Sequence, residues 1–378
     1  MRAIAVAAGP VLLLLALSSC DGVRGRTLVN PPAEFDHRDI GYQALAKHVV
    51  SAEEYLGLPT QVITVGPYLV VSDRASDQTL HLLHAESGRH VLSLGRRGGG
   101  PGEFMNAPEL METPAQGDTS FWAYDVALGR LTRYDLAGPE PASLLPDTVF
   151  GLALDRVLYQ LAFVGDREAF ALGLFDGGRY ADLDLATRRF TLRGTLPPNP
   201  KLLDPAIVQQ AYKANLVVRP GGDRAVVGAI RGSTLEFYGR GGDRLAVVNG
   251  PYRFGPDFVM EAGRFVAGWK NRYGYIDLGG TEDRLYGLFS GRSEEAFRND
   301  SWFAEYVHEF DWNGAFLRAL RLDTPVFDIA VDRARGAMYA VATDPEPAIL
   351  RYDIPPPDSR ARAKAGASLA AGVAQSRP

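Results

Sequence analysis

The side chains best suited to holding a ligand lie between Ser290 and Phe303, in the stretch SGRSEEAFRNDSWF. The guanidinium groups of Arg292 and Arg298 can form forked hydrogen bonds to an anion, and the indole of Trp302 can stack on a sugar or an aromatic group. The stretch is too long for a hairpin turn, and long loops on rigid scaffolds often carry function. It is therefore predicted to contact a ligand; the alternative is that Trp302 and Phe303 only attach the loop to the protein wall.

A second candidate site is the glycine-rich stretch Gly95–Phe104, which contains Arg96 and Arg97. Consecutive glycines expose backbone N–H groups that can cradle a phosphate or another anion, and the two arginines would assist. The stretch is not a Walker loop, because no Gly-Lys-Ser/Thr follows it. The alternative is a structural connection between two strands, since this composition fits neither a helix nor a central strand.

The chain contains no motif of a known catalytic site. The stretch Gly366–Ala370 lacks the final glycine of a G-x-S-x-G elbow, and no H-E-x-x-H occurs. His81 and His84 have opposite parity on a predicted strand, so we expect surface histidines near turns rather than a shared metal.

Eight aspartates near predicted strand ends are expected to cap turns, although some could line a central channel and hold a divalent ion. They are Asp125, Asp135, Asp176, Asp277, Asp311, Asp328, Asp332 and Asp353.

The one cysteine of the chain, Cys20, ends an apolar leader. The leader has Arg2 near its start and an apolar stretch, Ile4–Leu17, that is short for a membrane span. Its end, Leu17-Ser18-Ser19-Cys20, resembles a bacterial lipobox. We therefore expect residues 1–20 to be a lipoprotein signal peptide and Cys20 to be lipidated; the alternative is an ordinary signal peptide cut elsewhere. A single cysteine also excludes an internal disulfide.

The remaining pattern is that of many short strands. Three apolar runs within Leu322–Ile354 are separated by Asp, Gly and Pro turn residues, as expected for most of one propeller blade. The hexapeptide Leu131–Leu136 closely matches Ile349–Ile354, which indicates an internal repeat. Phe258–Trp269 extends the strand pattern, and a short helix is expected from Asp204 to Asn215 with Asp204 as N-cap.

Composition supports an all-β fold. The 41 Gly and 25 Pro lie mostly between apolar runs, which favours short strands joined by turns. The net charge is −5 without a cluster of Lys and Arg, so a nucleic-acid partner is not expected. We predict a tether over residues 21–45, a β-propeller of four-stranded antiparallel blades over 46–354, and a disordered tail over 355–378.

Several stretches together resemble the TolB-like six-bladed β-propeller lipoproteins, a family of NHL-type propellers. The matching stretches are Gly98–Phe104, Leu285–Arg292, His308–Gly314, Asp328–Asp332 and Met338–Val341. The resemblance covers roughly Gln61 to Asp353 and implies a secreted, lipid-anchored, six-bladed propeller of the all-β class. It implies no catalytic residue, because the shared motifs are structural.

The function expected from these observations is that of a non-enzymatic binding or scaffold module in the bacterial cell envelope. It would be a periplasmic or outer-membrane lipoprotein, attached through Cys20, that binds a protein, a peptide or a glycan and needs no cofactor. Two alternatives stay open at this point. One is a propeller hydrolase or lyase with a divalent metal in the central channel, and the other is a sensor partner in an envelope signalling complex.

Overall fold

The computed structural model describes residues 25–27, 40–52, 56–113, 119–138, 141, 143–152, 156–165, 167–197, 203–251 and 253–356. The expected leader at residues 1–20, the lipidation site Cys20 and residues 357–378 of the expected tail lie outside this described part. None of the described helices is long and apolar enough to cross a bilayer.

Three short strands precede the first blade: β1 (Gly25–Thr27), β2 (Tyr42–Leu45) and β3 (Lys47–Ala52). Blade one contains β4 (Pro59–Val65), β5 (Tyr68–Asp73), β6 (Gln78–His84) and β7 (His90–Arg96). Blade two contains β8 (Glu109–Glu112), β9 (Ser120–Asp125), β10 (Arg130–Asp135) and β11 (Thr148–Gly151). Blade three contains β12 (Leu158–Gly165), β13 (Glu168–Gly173), β14 (Tyr180–Asp184) and β15 (Arg189–Arg193).

The helix α1 (Pro205–Ala211) leads into blade four, which contains β16 (Ala214–Val218), β17 (Arg224–Ala229), β18 (Thr234–Gly239) and β19 (Arg244–Asn249). A separate hairpin follows, made of β20 (Phe258–Glu261) and β21 (Arg264–Ala267). Blade five contains β22 (Tyr275–Gly280), β23 (Leu285–Phe289), β24 (Ala304–Phe310) and β25 (Phe316–Val326), with the helix α2 (Glu294–Phe297) and a 3-10 helix (Arg298–Trp302) between β23 and β24. Blade six contains β26 (Asp328–Asp332), β27 (Ala337–Ala342) and β28 (Ala348–Asp353).

The six-bladed, all-β propeller with four-stranded antiparallel blades is confirmed. The first strands of consecutive blades contact one another in a closed ring, from β4 through β8, β12, β16, β22 and β26 back to β4. The matching hexapeptides also occupy equivalent places, because β10 and β28 are both third strands of their blades.

The ring is closed by an upstream strand, which answers a question that the sequence left open. The outer strand of blade six is β3, which pairs antiparallel with β28 and places Lys47 opposite Tyr352. Blade six is thus built from both ends of the propeller sequence.

Part of the segment expected to be a tether, residues 21–45, lies against the propeller. The strand β2 runs parallel to β25 at the outer edge of blade five, with Tyr42 opposite Ala319. The strand β1 runs parallel to β19 at the outer edge of blade four.

Six apolar clusters hold the ring together, one at each interface between neighbouring blades. Successive residues of a strand point to opposite faces of the sheet. The first strand of a blade therefore contributes apolar side chains to the clusters on both sides of that blade. Val62, for example, packs between blades six and one, whereas Ile63 packs between blades one and two. Both faces of each blade are therefore buried, which explains why the strands have long apolar runs.

Two predictions about segments that connect the blades have different outcomes. The helix α1 begins as predicted, with Asp204 Oδ1 accepting a hydrogen bond from Ala206 N at 2.8 Å, although it ends at Ala211. Residues 258–269, predicted to extend the blade pattern, instead form the separate hairpin of β20 and β21. Their alternation of apolar residues is real, but the two strands pair only with each other.

Candidate functional site

The first strand of each blade is its inner strand, next to the central channel. Each inner strand carries one polar residue directly before an aliphatic residue, and these six polar residues line the channel. The pairs are Gln61-Val62, Glu109-Leu110, Gln160-Leu161, Asn215-Leu216, Asp277-Leu278 and Asp328-Ile329. We call the six polar residues the polar ring. An inner strand is the edge of its sheet, so some of its backbone N–H and C=O groups need partners from outside the blade.

The polar ring supplies such partners at five of the six blade interfaces. The bonds join Gln61 to both the N–H and the C=O of Leu110 (2.6 and 3.0 Å), Leu216 N to Gln160 (2.8 Å), Asn215 to Tyr275 O (3.3 Å), Ile329 N to Asp277 (2.7 Å) and Val62 N to Asp328 (2.8 Å). In the part of the chain that is described, Glu109 makes no such bond. Its carboxyl group is therefore the member of the ring that does not link two blades.

Three members of the polar ring are acids whose protonation differs from that of exposed carboxyl groups. Burial raises the pKa of Glu109 to about 7, and Lys213 partly offsets this effect. Burial also raises the pKa of Asp277 to about 7. The pKa of Asp328 is raised well above its usual value by burial and by the neighbouring charge of Asp277. These groups consequently hold protons near neutral pH.

All six members of the polar ring line a cavity of about 570 Å³ that opens on one face of the propeller, and four of them also border a smaller space on the other side. Two kinds of loop lie on this face. The connections between blades contribute Lys213 to the lining, and the loops between second and third strands contribute Trp302. At the opposite end the space is about 180 Å³. Ligand pockets usually measure about 300–1,000 Å³, so the larger end is the candidate site.

Trp302 lies at the mouth of this cavity together with Phe303. The indole is 38% exposed, and its ring centroid lies 4.2 Å from that of Tyr273. The insertion that presents it is held in place, since Ser290 Oγ donates to Ser301 O at 2.8 Å and Phe303 packs edge-on against Phe327. The insertion is thus anchored to the propeller and still leaves Trp302 accessible to a ligand.

Arg292 and Arg298 are on the same insertion but do not line the cavity. Arg292 Nη1 donates to Asp300 O at 3.1 Å, and its guanidinium lies 5.0 Å from the ring of Phe297. Arg298 follows α2 with a φ of 48°. Arg292 therefore stabilises the fold of the insertion itself.

The glycine-rich stretch with Arg96 and Arg97 connects blades one and two, away from the polar ring. Its own acid occupies the expected anion cradle, because Gly100 N donates to Glu103 Oε2 at 2.8 Å. Gly98 has a φ of 156°, which residues with a side chain rarely adopt, and an added Cβ would also displace the Glu103 carboxylate. Arg97 donates to the backbone carbonyl of Arg74, a residue that lines the cavity.

His81 differs from the prediction of a surface position, whereas His84 ends β6 beside a turn and is partly exposed. His81 is only 2% exposed, with Nδ1 at 2.8 Å from Ser93 Oγ and Nε2 at 3.7 Å from Asp73. It lies in the middle of β6, both faces of which are covered, and this explains its burial. Burial lowers the pKa of His81, so the ring is neutral at pH 7.

Six of the eight aspartates separate into two groups, whereas Asp176 and Asp353 form ion pairs with Arg156 and Arg351. Asp125, Asp135, Asp311 and Asp332 accept backbone N–H groups of the turn that follows them, as predicted. Asp277 and Asp328 instead belong to the polar ring. Within the described ranges, no group of three or more His, Cys, Asp or Glu side chains is placed to hold a metal ion.

A basic pair at the cavity was not anticipated from the sequence. Lys213 lines the cavity, and Arg231 lies nearby in the loop between β17 and β18. Burial lowers the pKa of Lys213, and the charge of Arg231 lowers it further. The sequence offered one indication, because Lys213 directly precedes the first residue of an inner strand. This position indicates a residue at the cavity only when it is known which strand of the blade is innermost.

Comparisons with known proteins give only distant structural matches. No known family model and no curated protein sequence matches it. Among solved structures, the RRP9 WD40 repeats match with 12% identity and a TM-score of 0.49, covering 83% of this chain and 99% of that one. A protein from Bacteroides fragilis NCTC 9343 matches with 11% identity and a TM-score of 0.48, covering 82% of this chain and 94% of that one. The β-propeller domain of Myceliophteria thermophila Cps50 (Swd1) matches with 10% identity and a TM-score of 0.44, covering 82% and 100%.

Proposed function

We propose that this chain is a lipid-anchored propeller of the bacterial cell envelope that binds an extended peptide segment of a protein partner. The segment would enter the cavity of about 570 Å³ at the loop face. The observation that carries the proposal is Trp302, a large aromatic side chain that an ordered insertion holds half-exposed at the mouth of that cavity. Exposed tryptophans on rigid supports are frequent anchors of binding sites.

The lining favours a peptide over a glycan. Apolar surface from Ile230, Phe303 and Phe327 adjoins Trp302, and apolar side chains of a peptide would be buried against it. A glycan needs several amide and carboxylate groups that are free to bond its hydroxyls, and within the described residues only Glu109 of the polar ring makes no bond between blades. The amides of Gln61 and Asn215 are already engaged in bonds between blades.

The lipid anchor is the second part of the proposal and rests on the lipobox-like sequence that ends in Cys20. Gly25 in β1 follows Cys20 by five positions, a span of at most roughly 18 Å. Since β1 pairs with β19, a lipid on Cys20 would hold the outer edge of blade four close to the bilayer. The open cavity faces along the channel axis, so it would stay accessible to a partner beside the membrane.

Site-specific photo-crosslinking tests the binding site. A photoreactive amino acid replaces Trp302 in one variant and Trp269 in the control, in cells that produce the full chain. Trp269 is 58% exposed and does not line the cavity, which makes it a matched position. We expect discrete adducts with a protein at position 302 and none at 269. Adducts at neither position, or equally at both, would contradict the proposal.

The anchor is tested separately by mass spectrometry of the mature protein. We expect an acylated amino-terminal Cys20, and release of a Cys20→Ser variant from the membrane fraction. An unmodified amino terminus elsewhere in the chain would contradict the anchor and leave the cavity proposal standing.

A further inference from the structure

The cavity has a side compartment between blades three and four. A second space of about 280 Å³ adjoins the main cavity and shares Tyr159 and Lys213 with it. Arg231 and Phe265 line the compartment from the other side. A ligand that occupies the main cavity can therefore extend one group into a pocket with two cations.

Neither cation is paired with an acid. Lys213 Nζ lies 5.3 Å from the ring centroid of Tyr159, and the guanidinium of Arg231 lies 5.2 Å from that of Phe265. Arg231 Nη1 donates to Gln210 O at 3.2 Å. Neither residue forms an ion pair with a carboxylate of the described residues. The acid whose charge acts on Lys213 is Glu109, which burial leaves only partly ionised near neutral pH because its pKa is raised to about 7.

Two donors at the compartment also lack an acceptor. The hydroxyl of Tyr159 and Nε of Arg231 are both buried without a hydrogen-bond partner. The N–H of Ala214 lies near the Tyr159 hydroxyl, but an N–H can only donate, so the hydroxyl proton still lacks an acceptor. A buried polar group without a partner is costly, so such donors mark places where a ligand supplies the missing acceptor.

We infer that Lys213, Arg231 and the Tyr159 hydroxyl together bind a carboxylate of the peptide partner. This inference rests on the proposed function and names the group that the site recognises. A carboxylate has two acceptor oxygens and one negative charge, so it satisfies the two donors and neutralises the excess of positive charge. The carboxylate comes either from the free C-terminus of the partner or from an Asp or Glu side chain.

Three synthetic hexapeptide libraries distinguish these sources. The first has free C-termini and no acidic residues, the second has amidated C-termini and one Asp or Glu, and the third has amidated C-termini and no acid. Each is passed over the immobilised propeller, and the retained peptides are identified and quantified by mass spectrometry. We expect retention from the first or second library at least tenfold above the third, as one charge-assisted hydrogen bond implies.

Two variants and one control test whether the compartment is what retains the peptides. Lys213→Met is expected to weaken binding of the retained peptides by roughly tenfold or more, and Tyr159→Phe by several-fold. Tyr180→Phe is the matched control, because the Tyr180 hydroxyl is also buried without a partner but lines neither cavity. Binding by this control should equal that of the wild type.

The outcomes separate the two proposals. Equal retention from all three libraries, or unchanged binding by Lys213→Met and Tyr159→Phe, would overturn the carboxylate assignment and leave peptide binding intact. Retention from none of the libraries would overturn peptide binding itself, and the carboxylate assignment with it.

Discussion

Blades three and four bury arginine and lysine in two contrasting ways. Arg179, in the wall between the blades, is 1% exposed, and its Nε donates to Glu236 Oε1 at 2.9 Å. Its Nη1 donates to Tyr212 O at 2.9 Å, and Glu236 also accepts from Tyr238 at 2.6 Å. Lys213, directly after Tyr212 in the chain, faces the cavity with no such carboxylate partner.

The contrast shows how to separate structural from functional charges in this molecule. A buried cation that serves the fold has its counter-ion inside the protein, because an unpaired buried charge is strongly unfavourable. A buried cation without a counter-ion is tolerated beside an open cavity, where water or a ligand can reach it. The three changes below test this distinction.

Arg179→Met should have the largest effect on stability. It leaves the carboxylate of Glu236 buried without its cation, which costs about 3–5 kcal/mol in comparable cases. Urea denaturation followed by tryptophan fluorescence measures the change in the free energy of unfolding. The double variant Arg179→Met/Glu236→Gln should recover part of the loss; a single variant as stable as the wild type would show that the pair does not hold the wall.

Asp277→Asn should change how stability depends on pH. The pKa of Asp277 is about 7 in the folded state and near 3.8 when unfolded, so its contribution to stability is present below pH 3.8 and is lost as the pH rises through 7. Asparagine removes this loss and can still accept the N–H of Ile329. We expect the variant to be more stable than the wild type by about 1–3 kcal/mol at pH 8, with little difference at pH 4.

Denaturation curves at pH 4, 6 and 8 measure this effect, with Asn215→Asp as the reciprocal variant. Asn215 occupies the equivalent position of blade four, so an added acid there should lower stability as the pH rises. Parallel pH profiles for Asp277→Asn and the wild type would show that the carboxyl group is not protonated in the folded state.

Lys213→Met should have the smallest effect on the fold. It removes a partly buried cation that has no carboxylate partner, so the free energy of unfolding should change by less than about 1 kcal/mol or rise slightly. The same denaturation assay measures this change beside that of Arg179→Met. A loss as large as that of Arg179→Met would mean that Lys213 is a structural residue, and the contrast between the two regions would fail.

The propeller could be predicted largely from local patterns, whereas the site could not. The hexapeptides Leu131–Leu136 and Ile349–Ile354 identified equivalent strands, and the insertion between Ser290 and Phe303 pointed to the residue, Trp302, that lies at the cavity. Arg292 resembles Trp302 in its suitability for binding, yet its guanidinium turns inward to Asp300. The direction of a side chain in an irregular loop depends on tertiary contacts that a sequence pattern does not contain.

Strand patterns, turn residues and repeats can be recognised in the sequence, because each depends on residues only a few positions apart. These patterns were sufficient for most of the strands, whereas the number of six blades came from the family resemblance. The closing strand β3, the polar ring and the basic pair of Lys213 and Arg231 depend on contacts between blades. Lys47 and Tyr352 pair across almost the whole chain, and Asp277 and Asp328 influence each other only because the ring closes. Such proximity arises from packing in three dimensions, and it could be established only from the folded molecule.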